Sequence, residues 1–229
     1  MSAPDVRSFT VGPVQENAYI VRPDAGSRSA VMIDPGDEPK RLLDAVDALG
    51  VQIEAILLTH THFDHIGAVA PVARATGAPV YCPEIERPVL ADVMRWTPPG
   101  FGPFESYEAD HTLSGGERLQ LAGLDIEVLF TPGHSPGHLT YAVPGALLSG
   151  DVLFQGSVGR VDLPGGDWPT LERSIGTLLT RFPGETVVYP GHMGVTTLER
   201  ERNTNPFLAE LRERVPVSAP AAGPGAPAR

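Results

Sequence analysis

Apolar residues recur along this chain with two different periods. Between Ser8 and Ile33 they alternate with polar residues or gather in short β-branched runs, which predicts strands at Ser8–Val11, Asn17–Val21 and Ala30–Ile33. The third strand closes on the turn Asp34-Pro35-Gly36. The period then lengthens. Leu42, Leu43, Val46 and Leu49 recur at helical spacing, predicting a helix over Pro39–Leu49 that Gly50 ends. Ile53–Leu58 is a short, β-branched, buried-looking run, read as a strand that enters Thr59-His60 directly. A second helix is expected over Ile66–Thr76, stopped by Gly77.

Residues 78–114 carry a weaker pattern: a short strand at Val80-Tyr81, a helix over Glu84–Met94 and a Pro/Gly loop from Thr97 to Pro103. Alternation returns at Arg118–Leu121 and Asp125–Phe130, joined across Ala122-Gly123-Leu124, and again at Leu139–Val143 and Ala146–Leu148. A helix over Thr170–Phe182, a strand over Thr186–Tyr189 and a pair of short C-terminal helices complete the pattern. Strands and helices are mixed in each half. That points to sheets covered by helices, a layered α/β or α+β sandwich.

The 229 residues suit one large domain, expected over residues 1–214. Val215–Arg229 is mostly Pro, Ala and Gly and is expected to be a disordered tail. A hydrophobic content of 41% with 20% charged residues excludes wholesale disorder. No apolar run approaches the roughly 18 residues of a membrane span, so no membrane association is expected. Met1–Thr10 has no apolar core of the kind a secretory signal needs. A single cysteine, Cys82, excludes an internal disulfide and a thiolate-rich metal site, and agrees with a cytoplasmic location. With 28 acids against 17 bases and one lysine, Lys40, the chain is a poor nucleic-acid binder, because phosphate contacts need clustered cations. No feature sets the oligomeric state.

Chemistry concentrates in Thr59-His60-Thr61-His62-Phe63-Asp64-His65. On an extended strand end, residues i and i+2 point the same way, so His60 and His62 can reach one ion. Asp64 and His65, around the ensuing turn, can face a second ion beside it. Imidazole with carboxylate suits zinc, and also iron or manganese. The competing reading is a set of solvated loop residues, with Asp64 capping the following helix. Three further residues follow strand-like runs and a glycine: His134 in Thr131-Pro132-Gly133-His134-Ser135-Pro136-Gly137-His138, Asp151 after Gly150, and His192 after Gly191. Alone, each reads as a turn residue. Together with the cluster they complete two coordination spheres.

This order, Thr59-His60-x-His62-x-Asp64-His65 followed by His134, Asp151 and His192, resembles the metallo-β-lactamase-fold hydrolase superfamily, and within it the glyoxalase II-like (hydroxyacylglutathione hydrolase-like) branch. The resemblance runs from about Val6 to Leu211. It implies an α+β fold, a four-layer αββα sandwich with metals at one edge of the two sheets. It also implies that His60, His62 and His134 hold one ion, that Asp64, His65 and His192 hold another, and that Asp151 bridges both. The cofactors expected are two divalent ions, zinc first, with iron or manganese as alternatives.

Two such ions and a bridging hydroxide would supply a nucleophile at neutral pH, with Asp64 orienting it as the catalytic carboxylate. No separate general acid stands out. A thiol, with a pKa of about 8.5, departs without help, so the expected partner is a small-molecule thioester. Glyoxalase II of the eukaryotic type carries Lys-x-Tyr where this chain has Arg160-Val161-Asp162. Arg160 either binds a substrate carboxylate or bridges to Asp162. His138 is read as supporting the site or as a turn donor, and His111 as a surface residue. Asp34 either hydrogen-bonds a ligating histidine or is a plain turn residue. Trp96, Phe101 and Phe104 pack under the long loop or line the pocket. The competing functions are a mononuclear-iron persulfide dioxygenase of the same superfamily, a lactonase, and a catalytically silent metal-binding protein.

Overall fold

The computed structural model describes residues 3–214, so the tail expected at 215–229 lies outside the described residues. Asp5–Val11 (β1), Glu16–Arg22 (β2) and Ser29–Ile33 (β3) form an antiparallel meander. The chain crosses through a helix, Pro39–Leu49 (α1), into Gln52–Leu57 (β4), parallel to β3. Phe63–Ile66 (α2) and Val69–Thr76 (α3) lead to Val80–Pro83 (β5), parallel to β4. Arg87–Leu90 (α4) and Val93–Trp96 (α5) precede His111–Leu113 (β6), which completes a six-stranded sheet in the order β1-β2-β3-β4-β5-β6.

The second half repeats the plan. Arg118–Leu121 (β7), Leu124–Phe130 (β8), Leu139–Val143 (β9) and Ala146–Gly150 (β10) form successive antiparallel pairs. A small hairpin, Leu153–Phe154 (β11) with Ser157–Val158 (β12), stands apart. Trp168–Arg181 (α6) then crosses to Val187–Pro190 (β13), parallel to β10, and Thr196–Thr197 (β14) gives the order β14-β13-β10-β9-β8-β7. Leu198–Thr204 (α7) and Ala209–Arg214 (α8) follow.

Three separate cores show how the layers stack. Ala18, Ile20 and Met32 from the first sheet pack on Leu42 and Val46 of α1 and Val69 and Val72 of α3. Tyr19, Val21, Val31 and Ile33, the alternate residues of the same strands, meet Ile126, Val128, Tyr141 and Leu148 of the second sheet. Leu147 and Val188 turn the other way, onto Leu171, Ile175 and Leu178 of α6 and Leu208. Three apolar gaps separate four layers, αββα, so every residue of β2 is buried on one face or the other.

The expected helix Ile66–Thr76 is in fact two. A Cβ at Gly67 would fall 2.5 Å from the carbonyl of Gly36, and the Ala68 N–H donates to Pro35 (3.0 Å). That bond is spent outside the helix, and the break lets α2 turn Asp64 and His65 inward. Asp64 sits in the first turn of α2 and caps nothing; the N-cap position is His62. The expected helix Glu84–Met94 breaks into a 3₁₀ turn at Glu84–Glu86, then α4 and α5. Pro88 lies inside it, and the Glu86 side chain is held elsewhere. β6, β14 and the β11–β12 hairpin carry too few residues to show a period. Among the described residues no helix is long and apolar enough to cross a membrane.

Candidate metal centre

Five strands end at one edge of the sandwich. β3 and β4 run parallel in the first sheet, and β8, β10 and β13 share one direction in the second. Their C-terminal ends deliver Asp34, His60, His134, Asp151 and His192. The edge is stitched across the sheets. Tyr141 donates its hydroxyl to Leu58 O (2.7 Å), Leu139 N–H donates to Thr59 O (2.8 Å), and Tyr19 donates to Pro190 O (2.6 Å). Asn17 reaches the same corner, donating through Nδ2 to Pro190 O and Met193 O.

The structure brings all seven expected ligand residues together. One ligand atom from each of His60, His62 and His134 lies within 4.8 Å of the other two, and the same holds for Asp64, His65 and His192. Asp151 stands between the groups: its Oδ2 is 3.4 Å from His134 Nε2 and 3.6 Å from His192 Nε2, and its Oδ1 is 3.4 Å from His65 Nε2. Two glycines make this approach feasible. A Cβ at Gly191 would fall 2.2 Å from Asp151 Oδ1, and one at Gly159 would fall 1.9 Å from the Asp151 carbonyl.

Four of the five candidate imidazole ligands are oriented from behind, which fixes the nitrogen that faces the site, whereas His62 Nδ1 lies 2.8 Å from His134 Nε2 within it. His134 Nδ1 donates to the Arg160 carbonyl (2.7 Å) and His192 Nδ1 to the Gln15 carbonyl (3.2 Å). His65 Nδ1 lies 3.0 Å from Asp34 Oδ2. Asp34 also accepts from the Thr59 N–H (2.7 Å) and from its hydroxyl (2.6 Å), and Thr59 Oγ1 is 3.0 Å from His60 Nδ1. Asp34, His60 and His65 also lie close enough to share an ion, but Asp34 has its oxygens taken by these donors. One carboxylate therefore supports His65 directly and His60 through a hydroxyl. His138 is occupied on both sides: its Nε2 accepts from the Asp151 N–H (3.0 Å) and its Nδ1 faces the Thr131 hydroxyl (3.1 Å).

The groups differ in charge. Burial pushes His60 well below its ordinary pKa, helped by the neighbouring imidazoles of His65, His62 and His134. Burial and His134 push His62 down to about 4. Burial alone would lower His65 too, but Asp151, Asp34 and Asp64 outweigh it and hold it well above its usual value. His192 is raised against its burial by its bond to Asp64 and by Asp151. Asp151 and Asp64 stay ionised despite burial, Asp151 under the charge of His65 and His134, Asp64 through His192 and His65. His60 Nε2, His65 Nε2 and Asp151 Oδ1 are buried without a hydrogen-bond partner. An unmade bond to such an atom costs about 1–3 kcal/mol, and a cation would satisfy all three.

Other sequence candidates sit elsewhere. Arg160 is exposed and clasps Asp162 bidentately (2.6 and 2.7 Å), so it is the Arg160 backbone that reaches the site. His111 lies exposed on β6, its ring 4.4 Å from that of Tyr81. Phe101 and Phe104 pack on Phe63 and line a cleft of about 440 Å³ with Pro13, Asp37 and Pro71, whereas Trp96 is half exposed. Sequence reasoning missed Thr59, Glu16, Asn17 and Glu86. Both oxygens of Glu16 are buried without a hydrogen-bond partner, Oε1 lying 3.7 Å from His65 Nδ1, and burial raises its carboxyl well above its ordinary value. A lone acid in an otherwise ordinary segment carries no signal of that kind.

The model of the family described as "Metallo-beta-lactamase superfamily" matches residues 11–192. The chain is 41% identical to the probable metallo-hydrolase YqgX of Bacillus subtilis over 88% of this chain and 96% of that one. It is 32% identical to the hydroxyacylglutathione hydrolase GloC of Haemophilus influenzae, over 89% and 98%. Among solved structures, the BLEG-1 B3 metallo-beta-lactamase superposes with a TM-score of 0.84 at 38% identity, covering 90% of this chain and all of that one. TTHA1623 in a di-iron-bound form gives 0.73 at 45%, covering 88% and all of it.

Proposed function

The chain belongs to the metallo-beta-lactamase superfamily, and from that premise we propose that it is a two-metal hydrolase of acyl thioesters. His60, His62 and His134 would hold one divalent ion, Asp64, His65 and His192 the other, and Asp151 would serve both. The observation that carries this reading is the set of buried, unpartnered ligand atoms on His60, His65 and Asp151. Zinc suits the donors best, with iron and manganese as alternatives. Such ions supply a water acidified toward neutral pH and a Lewis acid for a carbonyl.

The chain's own residues do the rest. Asp64 is ionised and beside His192 (3.3 Å), where it can hold the attacking water by its proton. Neither His138, with both nitrogens engaged, nor the exposed His111 can protonate a leaving group. That favours a leaving group that departs as an anion, and hence a thioester over an amide. Arg160 is already paired with Asp162, and Met193 and Val195, which follow His192, and Val14, next to the Gln15 that His192 bonds, are apolar and exposed. These features support a thiol carrier held by apolar contact more than by its carboxylates; the similarity to GloC keeps the glutathione thioester among the first to try.

The test is metal analysis of unsupplemented protein by mass spectrometry, paired with a panel of acyl thioesters that includes S-lactoylglutathione. Two ions per chain with thioester turnover are expected. Two ions without turnover of any thioester would sink the proposal. One iron per chain with oxygen uptake on glutathione persulfide would favour the dioxygenase, and turnover of lactones alone the lactonase.

A further inference from the structure

Neither group of ligands uses Glu86, a carboxylate only 4% exposed at the end of the 3₁₀ turn after β5. Its Oε2 accepts from the Thr61 N–H (2.7 Å) and the Thr61 hydroxyl (3.0 Å). Its Oε1 accepts from the Ser135 hydroxyl (2.5 Å) and the Gly137 N–H (2.8 Å). Thr61 lies between His60 and His62, and Ser135 follows His134. Four donors fill the four lone-pair positions of the two carboxyl oxygens, which leaves them nothing to offer substrate or ion. The fit is close: a Cβ on Gly137 would fall 2.8 Å from Glu86 Cγ.

We propose that Glu86 is a positioning residue for the histidine group, a clamp that sets the gap between the loop bearing His60 and His62 and the loop bearing His134. The inference rests on the two-ion reading. A carboxylate suits the task because every group it meets is a donor. An amide of the same size would turn an NH₂ toward two of them, whichever way it lay. The Asp64–His65–His192 group has no bond to Glu86, so the clamp acts on one ion only. Loss of such a support weakens metal affinity by about 10- to 100-fold.

The experiment titrates zinc into metal-free full-length chain against a chromophoric chelator, for wild type, Glu86→Gln, His134→Ala and the double variant. Wild type should take two ions. Glu86→Gln should keep one at wild-type affinity and bind the other about 10- to 100-fold more weakly. In the His134→Ala background the same change should cost nothing further, because the group it serves is already broken. Unchanged affinity for both ions overturns the inference. So does weakening of both together, or a loss that adds in full to His134→Ala, since packing alone would act in those ways. If Glu86→Gln does not fold, Ser135→Ala removes one donor and keeps the carboxylate; it should weaken the same single ion, and two unchanged ions would again refute the clamp. Wild-type protein that takes up fewer than two ions refutes the two-ion reading itself.

Discussion

In the group of His60, His62 and His134 only His134 pairs with a carboxylate, Asp151, whereas His65 faces Asp34, Asp64 and Asp151, and His192 faces Asp64 and Asp151. Burial is shared by both groups, and burial alone disfavours a charged imidazole. In the histidine group it prevails, so His60 and His62 fall below their ordinary values and stand neutral at pH 7. In the mixed group the carboxylates prevail, and His65 and His192 are raised above their ordinary values instead. The same residue type on the same edge thus binds protons less readily in one place and more readily in the other. The choice is made by which acids the neighbouring strands and helix bring near.

Asp151 is where the two groups join, so the largest effect is expected there. Asp151→Asn removes the one carboxylate that reaches His65, His134 and His192, and should leave protein that retains neither ion through gel filtration, read by mass spectrometry. Two bound ions in that variant would show that the groups are independent.

A pH series separates the groups next. A ligand whose metal-free pKa is raised must shed its proton as the ion arrives, so affinity climbs with pH until that pKa is passed, by about tenfold per unit for each proton displaced. The ion at Asp64–His65–His192 should therefore bind more tightly as pH rises through and beyond about 6.5. His60 and His62 are lowered, so acid competes there only well below that, near pH 4 for His62. Calorimetry in buffers of different ionisation enthalpy counts the protons released. Equal release for both ions would remove the distinction.

The supports behind the ligands give a smaller, graded effect. Asp34→Asn should weaken both ions by about 10- to 100-fold, because Asp34 holds His65 directly and His60 through Thr59. Thr59→Val should weaken only the histidine group's ion and by less, since the carboxylate remains on His65. Chelator competition reads both. If Thr59→Val loosened the two ions alike, the relay through its hydroxyl would be wrong.

The candidate ligands were legible because they cluster in sequence or follow a strand and a glycine, α1 because its period is clean, and β2, β3 and β9 because they are short apolar runs bounded by turns. Glu86 was not. It reads as one of the acids on a helix face, and its burial comes from Thr61 and Ser135, on loops remote from it in sequence. The single helix expected over Glu84–Met94 fails for the same reason, as tertiary donors outbid local helix propensity there. Arg160 is a comparable case. Its side chain is conspicuous for its charge, yet its carbonyl orients His134, and a backbone group has no residue signature.

By itself the sequence determined the periods, the acidic balance, the strand-end histidines and the identity of every atom able to meet a metal. Tertiary structure decided which of those atoms face one another, which nitrogen the supported imidazoles present, and in which direction burial and nearby acids shift His60, His62, His65 and His192. The physical reason is that hydrophobic periodicity is local, set by neighbours three or four residues away. Hydrogen bonding and charge at this edge are settled between Asp34 and His65, Glu86 and Ser135, or Asp151 and His65, pairs that only the folded sandwich brings within 3.5 Å.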